Sequence, residues 1–214
     1  MATALLPAVR HTLEVLLAEG DHIPAERKAT LDTLAGYISQ KHRQGGPVQL
    51  VFICTHNSRR SHISHIWATT AAAALGLDDV HCFSGGTEAT AFNPRAVAAM
   101  ERAGFRIERP EGENPRYRVY FSADRDPVVC WSKVYDDPSN PRTDFAAVMT
   151  CSEADINCPY IPGAQRIALT FEDPKVADGT PDEAARYDER VRQIGREMLY
   201  AMGRVRVQAR SVTD

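Results

Sequence analysis

The chain has 214 residues and a formal net charge of −3. That length can bury a full core and suits one domain plus an extension, and the mild negative charge gives no basic field to hold a nucleic-acid backbone. No apolar run approaches membrane-spanning length, and the start, Met1-Ala2-Thr3-Ala4-Leu5-Leu6-Pro7, lacks the basic flank of a secretory signal, so the cytoplasm is the expected compartment.

In chain order, residues 3–19 and 24–43 read as two amphipathic helices. Leu5, Leu6, Val9, Leu13, Leu16 and Leu17 recur at helical spacing, and Leu31, Leu34 and Ile38 repeat the pattern. Gln44-Gly45-Gly46-Pro47 breaks the run, and a boundary is placed there: a helical extension over 1–45, the main domain over 46–214. Val48 to Ile53 is a nearly continuous apolar strand of the kind covered on both faces in a parallel sheet. A polar loop follows, then an alanine-rich helix over 61–75 and a short strand from Val80 to Phe83 ending at Ser84-Gly85-Gly86. Asn93 and Pro94 open another helix as N-cap and first residue, and Gly104 ends it. Residues 109–143 are irregular, with strand-like pieces at Tyr117–Phe121 and Val128–Tyr135 joined by a turn over Ser122–Pro127. Phe145–Thr150 and Gln165–Thr170 are two more buried-type strands. Thr180-Pro181-Asp182-Glu183 reads as a capping box for a last helix running to about Met202. The alternation of strands and helices predicts an α/β sandwich around a parallel sheet.

The chemistry concentrates in Cys54-Thr55-His56-Asn57-Ser58-Arg59-Arg60-Ser61. A cysteine that ends a strand and precedes a helix lies at the carboxyl edge of a parallel sheet, where open α/β folds bind ligands. A helix N-terminus there favours anions and favours thiolate over thiol. Arg60 can hold two oxygens of a phosphate-like group, Ser61 can donate to the thiolate, and Asn57 is the loop residue best suited to a left-handed backbone. Alone, Cys54 would read as a buried structural cysteine; the six-residue spacing to Arg60 between strand and helix makes it a nucleophile. Arg59 reads as a solvated charge, and His56 either tunes the thiolate or lines the loop. Asp173, in Glu172-Asp173-Pro174 after the last strand, is the candidate acid for a departing oxygen; without the loop it would read as a turn residue before proline.

Five cysteines are an odd set, unlike a secreted disulfide framework. Cys82 and Cys130 read as packing residues. Cys151 follows a buried strand and so reaches the same edge, with Cys158 seven positions on, before Pro159. Seven helical residues span about 10 Å, whereas a disulfide needs Cα atoms within roughly 7 Å, so pairing would require the segment to loosen. On spacing alone, a redox pair and two unrelated buried cysteines are equally open.

Four pieces together resemble the thioredoxin-coupled arsenate reductases, which share a fold with the low-molecular-weight protein tyrosine phosphatases: the loop 54–61; Ser84-Gly85-Gly86-Thr87-Glu88 with Asn93-Pro94; Cys151 to Pro159; and Glu172-Asp173-Pro174. They stand in family order over about residues 48–203. The loop is common to both families; the cysteine pair followed by Asp-Pro is the reductase signature, and Lys175 and Val176 stand where the phosphatases typically carry tyrosines. The resemblance implies a flavodoxin-like three-layer fold; the helical extension over 1–45 is additional to the family's pattern, and the hairpin-like insertion over 109–143 is longer than the family's connection. The resemblance also implies an oxyanion held by Thr55, His56, Asn57, Ser58, Arg59, Arg60 and Ser61, and attack by Cys54 on arsenate with Asp173 as acid. A disulfide would then pass from Cys54–Cys151 to Cys151–Cys158, for thioredoxin to reduce. Some relatives bind potassium near the loop asparagine, which points to Asn57 and Ser84. His56 replaces a usual glycine, and Arg59 a small or sulfur-bearing residue. The alternatives are a tyrosine phosphatase that uses Cys54, Arg60 and Asp173, with the other cysteines protecting Cys54 from overoxidation, and an oxyanion or redox sensor without turnover.

Overall fold

Four parallel strands run through the centre of the chain's computed structural model, which describes residues 3–158 and 160–211, with side chains to Val205 in the last helix. They are β1 (Val48–Cys54), β2 (Val80–Gly86), β6 (Phe145–Met149) and β7 (Ala164–Ala168), in the order β2-β1-β6-β7. β1 is central, and its register places Leu50 beside Cys82 on one side and Ala146 on the other. Alternation along the strands divides the sheet into two faces. Val48, Leu50 and Phe52, with Ala146 and Val148, enter the main core. Val51 and Ile53, with Phe145, Ala147 and Met149, face a smaller cluster that contains Cys54, Cys151, Ala154 and Cys158.

The helices are α1 (Pro7–Ala18), α2 (Ala25–Arg43), α3 (Arg60–Leu75), α4 (Pro94–Arg102), α5 (Ser152–Asn157) and α6 (Glu183–Ser211). The main core draws on all of them except α5: Leu16, Leu31, Leu34, Ile38, Trp67, Met100 and Ile194 are buried in it together. The smaller cluster is covered by the single short helix α5 with Tyr135 and Ile161. One face of the sheet is thus thickly covered and the other thinly; Cys54, Cys151 and Cys158 lie on the thin side, while Cys130 and Cys82 belong to the thick one. The sequence segment ending at Pro159 closes outside the described residues at that proline.

Asn93 caps α4 as its sequence suggests, its Oδ1 accepting the Arg95 N–H at 2.9 Å. The capping box expected at Thr180 does not form. The Thr180 hydroxyl donates instead to the Ala177 carbonyl at 2.8 Å, and Glu183 accepts the Gly179 N–H at 2.6 Å while pairing with Arg95 at 2.7 Å. The Ala177 carbonyl, at the end of the preceding 3₁₀ turn Pro174–Ala177, accepts both this hydroxyl and the Thr180 N–H, the latter at 3.1 Å. α6 also continues well beyond Met202.

The irregular region forms a second, antiparallel sheet, β3 (Arg106–Glu108), β4 (Tyr117–Tyr120) and β5 (Val128–Cys130). The expected hairpin is its β4–β5 half; the strand Arg106–Glu108 had no signal strong enough to read. β5 stops at Cys130 because residues 131–135 leave it to run beside the end of β2. There Gly86 N–H donates to the Lys133 carbonyl and Tyr135 N–H to the Gly86 carbonyl, both at 2.8 Å. This switch carries the insertion to the loop after β1. Among the described residues no helix is long and apolar enough to cross a membrane.

Candidate active site

Cys54 is the last residue of β1 and is 4% exposed. Gly86 lies opposite it in register. A Cβ at Gly86 would stand 2.4 Å from the Glu88 carbonyl oxygen and 2.7 Å from both Asn57 N and the Thr55 carbonyl oxygen, so only glycine lets the loop pack here. The loop turns at Asn57, whose φ is 42°. Its carbonyls are bound from outside. Thr55 O accepts the Glu88 N–H at 2.8 Å, and Ser58 O accepts the Asn93 N–H at 2.9 Å. His56 O accepts the Ser132 hydroxyl at 2.8 Å and the Thr90 hydroxyl at 3.2 Å. Ser58 Oγ is itself tied to Ala91 O at 2.7 Å. The loop amides, at the N-terminus of α3, are the groups left for an anion.

Among the described residues the thiol has one side-chain hydrogen-bond partner. Cys54 Sγ is 3.0 Å from Ser61 Oγ, and Asn57 Nδ2 donates to that same oxygen at 2.9 Å. The Ser61 oxygen, already accepting from Asn57, is thereby set to turn its own hydrogen toward sulfur. Asn57 Oδ1 in turn accepts the Lys133 N–H at 3.0 Å. Ser132, Lys133 and Asn114, which brackets Ser132 through two hydrogen bonds of 2.8 and 3.0 Å, thus brace the loop from the insertion. Sequence reasoning missed them because they lie in the irregular region with no periodicity to mark them.

Asp173, expected at the carboxyl edge, lies against Arg60, with Oδ2 2.8 Å from Arg60 Nη2. Arg60 Nη1 donates to the Phe171 carbonyl at 2.9 Å. Arg59 overturns its reading as a solvated charge: its side chain is only 12% exposed. Its Nη2 donates to Asp173 Oδ2 at 3.2 Å, and its Nε lies 2.9 Å from Oδ1 without an aligned N–H. The Lys175 N–H adds a bond to Oδ1 at 3.1 Å. Burial by itself pushes the Asp173 carboxyl up, but the Arg60 charge, the Lys175 N–H and Arg59 outweigh it and hold the carboxyl below its ordinary value. His56 stands at the rim, half-exposed, with Nε2 3.5 Å from Glu88; it lines the loop and does not touch Cys54 among the described contacts.

Cys151 is fully buried. Its sulfur is 3.5 Å from Thr55 Oγ1, in the residue after Cys54, and accepts the Ala154 N–H at 3.3 Å as the N-cap of α5. Burial raises its thiol pKa, against the pull of the Thr55 hydroxyl, the Ala154 N–H and the Arg60 charge. Cys158 caps the other end of α5 and is 6% exposed; burial raises its pKa too. All five cysteines are free thiols. Cys130 is buried and Cys82 half-buried, both pushed up to about 12 by burial, in keeping with packing roles.

Asn57 and Ser84, the residues named for potassium, each have a hydrogen-bond partner. Asn57 Oδ1 is taken by Lys133 N–H, and Ser84 Oγ stands 3.2 Å from His62 Nδ1. Burial first, and the charge of the buried Lys133 side chain second, lower the pKa of both His62 and His65. Among the described residues no three His, Cys, Asp or Glu side chains group as metal ligands.

The family of low molecular weight phosphotyrosine protein phosphatases matches residues 49–124. An arsenate reductase of Bacillus licheniformis is 30% identical over 148 residues, covering 68% of this chain and 88% of the relative. One from Bacillus subtilis is 30% identical over 151 residues, 70% of this chain and 91% of the relative. The chain belongs to the family of these arsenate reductases and phosphatases. Among solved structures, a low molecular weight phosphotyrosine phosphatase from Vibrio cholerae is similar with a TM-score of 0.49 and 13% identity, over 75% of this chain and 98% of that one.

Proposed function

We propose that the protein reduces arsenate to arsenite by a three-cysteine relay that thioredoxin regenerates in the cytoplasm. The observation that carries this reading is the Cys151 sulfur, 3.5 Å from the Thr55 hydroxyl within the oxyanion loop. Hydrolysis of a phosphate ester takes no electrons and so needs no second thiol in its chemical steps, whereas reduction of As(V) needs two electrons and two thiols supply them.

In the first step the Cys54 thiolate attacks arsenic, with the oxyanion held by Arg60 and the loop amides. A S–As bond forms and one As–O bond breaks, its oxygen leaving as water with a proton from Asp173. The Cys151 thiolate then attacks Cys54 Sγ. The S–As electron pair passes to arsenic, which departs as arsenite, and a Cys54–Cys151 disulfide remains. Cys158 attacks Cys151 and frees Cys54, and a dithiol partner reduces Cys151–Cys158 by exchange. Cys151 and Cys158 flank one intact helix, so their pairing requires α5 to open. Its thin cover and its six-residue length support that motion. Ile156 and Tyr160, either side of Cys158, are 79% and 84% exposed, which suits contact with a protein reductant.

The test is arsenite production with thioredoxin, thioredoxin reductase and NADPH, beside hydrolysis of an aryl phosphate. Cys151→Ser is expected to release no arsenite. Cys158→Ser is expected to release one equivalent per enzyme and stop. Sustained turnover by Cys158→Ser would refute the relay. Efficient aryl phosphate hydrolysis without arsenate reduction would make the protein a phosphatase, and oxyanion binding without either reaction would make it a sensor.

A further inference from the structure

Two arginines converge on one carboxylate at the mouth of the loop, and they hold it differently. Arg60 gives Asp173 one hydrogen bond and spends its other nitrogen on the Phe171 carbonyl. Arg59 approaches from the side, with Nε near Oδ1 and Nη2 on Oδ2, and Asp173 is its only partner among the described residues. Arg60 is also the residue needed by an incoming oxyanion. An oxyanion that draws Arg60 away would leave Asp173 without its closest ion-pair contact, the 2.8 Å approach to Oδ2, yet the acid must stay at the mouth to act.

We propose that Arg59 is the positioning residue of the acid: it anchors Asp173 at the mouth while Arg60 exchanges that carboxylate for the oxyanion. This rests on the reading of the loop as an oxyanion site. When Arg60 leaves, Oδ1 keeps the Lys175 N–H and the Arg59 Nε contact, and Oδ2 keeps only Arg59 Nη2. Oδ2 is therefore the oxygen opened to carry the proton to the departing oxygen. Its proton affinity rises at the moment of binding, because one cation is withdrawn and an anion arrives. A resting ionised carboxylate thus becomes an acid only when substrate is present. The other ionisable groups facing this cluster are few. Glu153 of α5 is 4.0 Å from Arg60, Tyr187 of α6 lies within the field of both Arg59 and Asp173, and Cys151 lies within that of Arg60.

The charge of Arg59 suggests a rival role as a second ligand of the oxyanion, and a pair of measurements separates the two. The first needs no oxyanion: the Asp173 carboxyl carbon is titrated by NMR, assigned by its loss in Asp173→Asn. Arg59→Ala is expected to bind a proton at Asp173 about tenfold more tightly than the wild type, on the usual effect of one adjacent arginine, and Arg59→Lys to fall between. Titration of Arg59→Ala with the wild type would overturn the proposal, whatever reaction the protein performs. The second is the affinity for inorganic phosphate, with Arg59→Ala made in the wild type and in Asp173→Asn, as a double-mutant cycle. An effect of Arg59→Ala confined to the background that retains Asp173 is expected. An equal loss of about tenfold in both backgrounds would place Arg59 on the oxyanion itself and overturn the positioning role. Absence of phosphate binding by the wild type would refute the oxyanion reading, while the titration still decides whether Arg59 anchors Asp173.

Discussion

His65 is a buried polar residue whose charge state the fold sets. It lies on the inner side of α3, one turn beyond Arg60, and is 7% exposed. Burial first, and the nearby Lys133 charge second, lower its pKa to about 3, against a hydrogen bond with the Cys82 backbone. The folded protein therefore holds this ring neutral at pH values where an unfolded chain would protonate it. The unfolded state binds more protons below the ordinary histidine pKa of about 6.5, so stability is complete above that pH and falls as the pH drops toward 3. At pH 5 the contribution lost from His65 is about 2 kcal/mol. Urea unfolding at pH 7 and pH 5 should show the wild type losing about that much more than His65→Gln. An equal loss in both proteins would mean that His65 is protonated in the fold. The sequence placed His65 in a helix but gave no sign of its charge state, which depends on a lysine 68 positions away.

At the scale of elements, α5 is where structure and chemistry conflict. Cys151 both caps the helix and supplies a thiol, so any disulfide it forms removes the cap. Serine can replace the sulfur as an acceptor for the Ala154 N–H, and alanine cannot, at a cost of about 1 kcal/mol. Amide hydrogen exchange over residues 154–158 should therefore quicken about fivefold in Cys151→Ala relative to Cys151→Ser, with the rest of the sheet unchanged. Equal exchange in the two variants would show that the cap contributes nothing and that α5 is held by Ala154 and its neighbours alone. The elements that carry the site were legible because each has a local cause: an apolar run for β1, an Asn-Pro start for α4, a six-residue spacing from Cys54 to Arg60. The bracing of the loop by Ser132, Lys133 and Asn114 was not legible. Those contacts depend on a strand leaving its sheet, and no periodicity records that. Arg59 was misread for a related reason, since its partner is 114 positions away and a charge beside a charge looks like surface.

Across the whole molecule, the first two helices are not an appendage. Leu16, Leu31, Leu34 and Ile38 are fully buried in the same core as Trp67 and Ile194. A Cβ at Gly195 would come within 2.8 Å of both Leu16 and Trp67, so α6 is pressed between α1 and α3 with no slack. Arg27 on α2 pairs with the buried Glu197 at 2.7 Å, a charged contact that ties α2 to α6. α3 starts at the oxyanion loop and packs on α6, so the extension supports the site through two layers of helix. Leu34→Ala is expected to destabilise the protein by about 2–5 kcal/mol, as a fully buried leucine does when truncated. Deletion of residues 1–45 would expose the apolar side of α6 that faces α1 and α2, and the remaining chain is expected to lack a cooperative thermal transition. Restoring residues 1–45 as a separate peptide should recover it if the deficit is the missing core alone. A deletion variant that melts cooperatively, within a few degrees of the full chain, would show instead that the catalytic part closes its core unaided and that Leu34 and its neighbours merely cover it.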